Sequence, residues 1–282
     1  MAGQFIEVKH SSMFRRMAAV AWDPPRDPSI YGSHQIDATE LMLWLDAQRE
    51  ATGVRLSPTH AVARAFAMTI KRHPGLNCTV RRGRLWQRER VNLFLQVAVP
   101  AGEASKGDSS QSADLSGVLV RDIDTKTTAV IAEELRTKAA KIRKGEDEML
   151  ASTKKNLSWM PPMIMGYALR LASWLSHDLG LDLSGLGIAN DPFGSMMITS
   201  LGMMGVGQAY APHFPMAKGL GIALVGQIED GVRVIDGEIC VRRLLPLTVT
   251  LDHRVVDGFQ ASVLARDIRR LLENPTLLDE PA

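Results

Sequence analysis

Hydrophobic positions recur along the chain with two periods. At the C-terminal end, Phe259, Val263, Leu264, Ile268, Leu271 and Leu272 fall on one face of a helix over 259–272, which Asn274-Pro275 ends. Just before it, Leu245–Leu251 is a β-branched run with partial alternation, the pattern of a strand. Helical patterns also cover 37–50, 58–73 and 127–144; Ser57 is placed to cap the second of these and Pro58 to open it. Strand patterns cover parts of 77–99, then 117–124 and 195–200. Two further strands are predicted at 219–229 and 231–243, joined by an Asp230-Gly231 turn. Helices and strands mix without a strict alternation, so the expected fold is a mixed β-sheet with helices packed on it, in one domain spanning 1–282.

Two stretches break the rhythm. Residues 101–116 are rich in Ser, Gly and Asp and read as a loop. Residues 152–194 read as an apolar insertion. Within it, Trp159–Leu175 is 17 residues long and carries Pro161, Pro162 and Arg170, short of the ~20 apolar residues of a membrane span. Arg170, Ser173 and His177 give it a narrow polar stripe. The first reading is a mostly buried helix, and the alternative is a membrane-surface or acyl-chain-binding one.

Composition narrows the function classes. The 282 residues are 45% hydrophobic, enough for a substantial core, and the net charge of +2 carries no nucleic-acid footprint. Cys78 and Cys240 lie far apart, so a metal site is not expected; both read as inert core thiols in a reducing cytosol. The N-terminal stretch lacks the continuous apolar run of a signal peptide, and membrane contact is not expected.

The candidate chemistry lies between the last strand and the last helix, in Asp252-His253-Arg254-Val255-Val256-Asp257-Gly258. A histidine at a strand end is held by rigid scaffold while its side chain reaches a cleft. An unperturbed imidazole titrates near pH 6.5, so His253 suits a general base. Asp257 precedes the helix and suits an N-cap.

These seven residues resemble the signature of the dihydrolipoamide acyltransferase catalytic domain of 2-oxoacid dehydrogenase complexes. The similarity extends to Phe14-Arg15-Arg16-Met17-Ala18-Ala19, Leu56–Asn77, Gly117–Lys144 and Ile198-Thr199-Ser200-Leu201-Gly202. The resemblance implies a chloramphenicol acetyltransferase-like α/β (α+β type) fold with its active site at a trimer interface. The implied reaction is acyl transfer between coenzyme A and dihydrolipoamide. Coenzyme A is then a substrate, with no metal and no lipoyl group attached to this chain. His253 takes the role of base, and Thr199 or Ser200 that of oxyanion donor from a neighbouring subunit. Asp257 pairs with Arg15, or with Arg16, to brace the histidine loop; a plain N-cap is the alternative. The implied partners are a homotrimer, a larger cage and a lipoyl-bearing protein acting in trans.

Three departures qualify the resemblance. The region of resemblance begins near the first residue, so a chain without lipoyl or peripheral-subunit-binding segments is expected. Ala21 stands where the family has a further arginine. The 152–194 insertion precedes Thr199-Ser200, where it is expected to reshape the acyl pocket, shield a trimer surface or make an assembly contact. Tyr210–Lys218 loosely resembles the chloramphenicol-type branch, which implies a non-lipoyl acceptor; a structural subunit derived from the family is the third reading. His213 is expected in solvent, with a place lining the site as the alternative. Arg81, Arg82 and Arg84 read either as contacts to coenzyme A phosphates or as a solvated turn.

Overall fold

Strand β9 (Glu238–Asp252) organises the sheet because it is long enough to serve three neighbours. Its C-terminal half pairs antiparallel with β1 (Ser29–Asp37) on one side and β7 (Gly221–Val225) on the other, and its N-terminal half with β8 (Glu229–Ile235). Beyond β7 the order runs β6 (Met196–Ser200), β4 (Leu93–Pro100), β5 (Ala113–Val120). β7, β6 and β4 are parallel and β5 returns antiparallel, so the sheet is mixed as expected. The structure, a computed structural model, describes residues 27–100, 113–144, 162–183, 185, 191–214 and 217–282. The 101–112 part of the expected loop and Arg15, Arg16 and Ala21 lie outside them.

Helices α1 (Thr39–Thr52), α2 (Pro58–Arg72), α3 (Thr128–Arg143) and α5 (Gly258–Glu273) join the sheet around one core. The centre of this layer is α2, whose residues from Ala61 to Ile70 are all buried. Arg64 is among them. Its guanidinium donates to the carbonyls of Asp124 (2.7 Å), Leu278 (3.2 Å) and Glu280 (2.6 Å), so a buried charge ties a turn and the C-terminal segment to the core. The other face of the sheet carries a smaller cluster of Met197, Ala217 and Ile222 with Phe94 and Phe193. The hydroxyls of Thr248 and Thr250 donate to the carbonyls of Ala209 and Ala211 and hold a strap across this face.

Several details differ from the sequence reading. The β8–β9 turn is Asp236-Gly237, with φ of 53° and 86°, a pair of left-handed residues that suits a two-residue hairpin. Asp230-Gly231 lies inside β8 instead. A Cβ on Gly231 would sit 2.4 Å from Leu244 Cδ1, so a side chain there would displace the Leu244 side chain. The other strand of this region, β7, ends at Val225. Cys78 and Cys240 are half-buried rather than core residues. Burial pushes the Cys78 thiol up, with Arg88 pulling the other way.

The expected buried helix is real but exposed. α4 (Pro162–Ser173) continues into one π-helical turn, Trp174–Asp178. Tyr167, Leu171 and Trp174 are more than half or about half accessible. Apolar composition reads the same for a core helix and for one covered by something else, so periodicity alone did not separate the two. No helix of the described residues is long and apolar enough to cross a membrane.

At the start of α2, His60 Nδ1 accepts from the Ser57 backbone N–H (3.0 Å), and burial lowers the imidazole pKa to about 4. The unfolded chain therefore gains a proton between about pH 6.5 and 4 that the fold does not bind. Stability should fall as pH drops through that window, by roughly 2–3 kcal/mol from this group. Urea unfolding across the window should show a shallower fall in His60→Gln, which keeps an acceptor at this cap position. Equal slopes would count against the assignment. Arg64→Ala should lower stability by about 2–4 kcal/mol by leaving buried carbonyls unpaired, read by the same method.

Candidate active site

The seven-residue motif is built outward from Asp252, the last residue of β9. Its backbone N–H donates to the Leu220 carbonyl (3.0 Å), and its own carbonyl accepts from Val255 (2.9 Å) and Val256 (3.0 Å), closing a tight turn. The carboxylate is buried and accepts from the Arg254 backbone N–H (3.0 Å), Nε (2.9 Å) and Nη2 (2.6 Å). Burial pushes this carboxyl up, but the hydrogen bonds and charge of Arg254 outweigh it and hold it below the usual value. In return the Asp252 carboxylate raises the Arg254 pKa. Sequence reasoning gave neither residue a role, although an acid and an arginine two residues apart at a strand end were the available signal.

Val255 and Val256 plug into the core and leave His253 between two anchored points. Its backbone N–H donates to the Pro28 carbonyl (2.8 Å), and its Nδ1 lies 2.8 Å from the Val256 carbonyl. A carbonyl only accepts, so Nδ1 carries the proton and Nε2 keeps its lone pair. The imidazole is exposed in the single chain. Its geometry is that of a base with one nitrogen fixed and the other free to take a proton.

Asp257 caps α5. Its carboxylate accepts from the Gln260 backbone N–H (3.0 Å), while Gln260 Oε1 accepts from the Asp257 N–H (2.8 Å), a reciprocal capping box. The cap is therefore present, and the arginine pair falls outside the described residues.

Thr199 and Ser200 end β6, and the register places them far from His253. Thr199 stands opposite Leu224, which stands opposite Thr248; Ser200 reaches Leu247 through Val225. From Thr248 to His253 is five residues of strand, roughly 17 Å. Proton transfer between such groups works at about 3 Å. One chain thus presents the imidazole at one end of the sheet and the hydroxyls at the other. Thr199 is buried and Ser200 half-buried.

His213 is not the solvent residue expected. It is half-buried on the strap, and its Nε2 is enclosed without a hydrogen-bond partner among the described residues. Burial lowers its pKa, against the raising pull of Asp252. The Thr248 and Thr250 hydroxyl bonds that place this strap link residues 39 apart, beyond any local pattern. Of the turn arginines, Arg81 lies over the Trp86 ring at 5.5 Å, and Arg82 and Arg84 are exposed. Among the described residues no group of His, Cys, Asp and Glu could hold a metal ion.

Asp257→Ala should cost about 1 kcal/mol in urea unfolding, and Asp257→Asn only a few tenths, since Asn caps as well as Asp. A large loss in Asp257→Asn would show that its charge does more than cap.

Residues 4–153 and 192–279 match the 2-oxoacid dehydrogenases acyltransferase (catalytic domain) family, leaving 154–191 unmatched. The chain is 24% identical over 258 residues to the dihydrolipoyllysine-residue acetyltransferase component of the Bacillus subtilis pyruvate dehydrogenase complex, covering 89% of this chain and 46% of that protein. It is 38% identical over 87 residues to the lipoamide acyltransferase component of the Pseudomonas putida branched-chain alpha-keto acid dehydrogenase complex, covering 30% of this chain and 19% of that protein. It thus spans less than half the length of these relatives. The fold is shared with the cubic core of a pyruvate dehydrogenase multienzyme complex, at TM-score 0.64, 20% identity and coverage of 99% and 96% of the two chains. It is shared too with the Azotobacter vinelandii dihydrolipoamide acetyltransferase, at TM-score 0.63, 20% identity and coverage of 90% and 85%. With a match over most of its length and the histidine motif held at the end of the central strand, the chain belongs to the 2-oxoacid dehydrogenase acyltransferase catalytic-domain family.

Proposed function

We propose that this chain is an acyltransferase that moves an acyl group between coenzyme A and a thiol acceptor such as dihydrolipoamide. The observation that carries the reading is the Nδ1 bond of His253 to the Val256 carbonyl, which leaves Nε2 as the acceptor. In the reaction Nε2 takes the proton from the incoming thiol, and the resulting thiolate attacks the thioester carbonyl. The Thr199 or Ser200 hydroxyl donates to the oxyanion of the tetrahedral intermediate. Collapse expels the second thiolate, which recovers the proton from His253. The incoming thiol gives up its proton and gains the acyl group, and the departing sulfur loses the acyl group and gains the proton, so the step needs no further reactant.

The register supports a site shared between copies, because the two halves stand roughly 17 Å apart along the sheet of one chain. A homotrimer with the hydroxyl of one copy beside the imidazole of the next satisfies both the chemistry and the family. The β8–β9 arm supports such contacts: Val232, Val234, Ile239 and Val241 form two cross-strand pairs that are all exposed on one face. A larger cage is proposed from the cubic core whose fold it shares. A lipoyl-bearing protein is the proposed partner in trans, and Arg15 or Arg16 the proposed ion-pair partner of Asp257.

His253→Ala should lower thioester exchange between acetyl-coenzyme A and dihydrolipoamide by about 10²- to 10⁴-fold with an unchanged circular dichroism spectrum. Retained exchange would remove His253 from the reaction. Val234→Glu combined with Ile239→Glu should shift sedimentation toward a smaller species; an unchanged species would place the contacts elsewhere.

A further inference from the structure

Within the stretch that the family does not match, the described residues carry an exposed apolar stripe. Tyr167, Leu171 and Trp174 follow the i, i+4, i+7 spacing of one helical face, with Leu179 and Leu181 exposed beyond them. The stripe from Tyr167 to Trp174 runs seven residues, roughly 10 Å.

The segment is pinned to the small β2–β3 hairpin (Cys78–Arg81 and Arg84–Gln87). His177 Nε2 lies 3.2 Å from Thr79 Oγ1 and 3.1 Å from the Val80 carbonyl, and Asp178 accepts from the Arg82 backbone N–H at 3.2 Å. The hairpin is linked to the histidine loop. Arg88 forks onto Asp191 at 2.7 and 2.9 Å and donates to the Lys218 carbonyl at 3.0 Å; two residues on, the Leu220 carbonyl accepts from Asp252. The sheet register agrees. The segment feeds β6 at Met196, and Met197 aligns through Ile222 with Thr250, three residues before His253. The apolar stripe and the base therefore belong to the same end of the sheet.

The hairpin to which the segment is pinned carries exposed Arg82 and Arg84, and α4 carries exposed Arg170, with the acids Asp178 and Asp182 on the segment itself. Apolar side chains next to arginines suit a ligand with an apolar chain and anionic phosphates. We propose, building on the acyl-transfer reading, that this surface receives an acyl-coenzyme A whose acyl chain is long and apolar. The arginines meet its phosphates and Tyr167, Leu171 and Trp174 meet its chain. An acetyl group offers one methyl and would leave this stripe unused.

Calorimetric titration separates this from catalysis, because binding needs no acceptor. Octanoyl-coenzyme A should bind the intact protein about 10-fold or more tightly than acetyl-coenzyme A. Leu171→Ser with Trp174→Ser should erase that difference while leaving acetyl-coenzyme A binding unchanged, and Tyr167→Ser alone should narrow it. Arg82→Ala with Arg84→Ala should weaken both ligands by a similar factor, less so at high salt. Equal affinity for the two chain lengths, or a preference that survives the serine variants, overturns the proposal. So does stripe-dependent binding to phosphatidylglycerol vesicles without chain-length preference, which marks a lipid-facing surface. Acetyl transfer without chain-length preference defeats this inference alone; tight octanoyl-coenzyme A binding without any transfer defeats the acyltransferase reading alone.

Discussion

The register of β9 against β1 and β7 is the constraint on which the rest depends. It carries the chain past the sheet at Asp252, where a buried carboxylate, an arginine two residues on and two buried valines turn it sharply into α5. The same register places Thr199 and Ser200 five and six strand residues short of His253. Shifting any pair in this ladder by one residue would also reverse which side chains face the core. The position of His253 and its distance from Thr199 and Ser200 thus come from one set of hydrogen bonds.

Around that constraint the structure divides its labour. The α2 layer is dense and apolar, and its buried Arg64 donates to three carbonyls. Two of the surfaces left apolar are the β8–β9 arm and the α4 stripe. Exposed apolar side chains in such groups mark places where something else binds. The arm suits another copy of the chain. The stripe, flanked by arginines and tied through Arg88 to the histidine loop, suits a substrate.

Local signals made the final helix, its aspartate cap and the histidine at the strand end legible in the sequence, because periodicity and capping act within a few residues. Two Asp-Gly dipeptides six residues apart were not distinguishable locally. The turn fell at Asp236-Gly237 because the long pairing of β8 with β9 converges there. The exposure of α4 and the enclosure of His213 depend on contacts between residues distant in sequence, as does the separation of Thr199 from His253. The resemblance already implied that the histidine and the hydroxyls act from different copies, and the ladder separates His253 from Thr199 and Ser200 within one chain.

The central claim is that a base from one copy works with a hydroxyl from another, and subunit mixing tests it most directly. His253→Ala protein and a Thr199→Ala, Ser200→Ala double variant, each expected to be strongly impaired, are dissociated together in equal amounts and reassembled, and thioester exchange is measured. Random assembly of a ring with shared sites should restore about one quarter of wild-type turnover, since one interface in four unites an intact imidazole with an intact hydroxyl. Turnover of the mixture no greater than the average of the two variants would contradict the shared site.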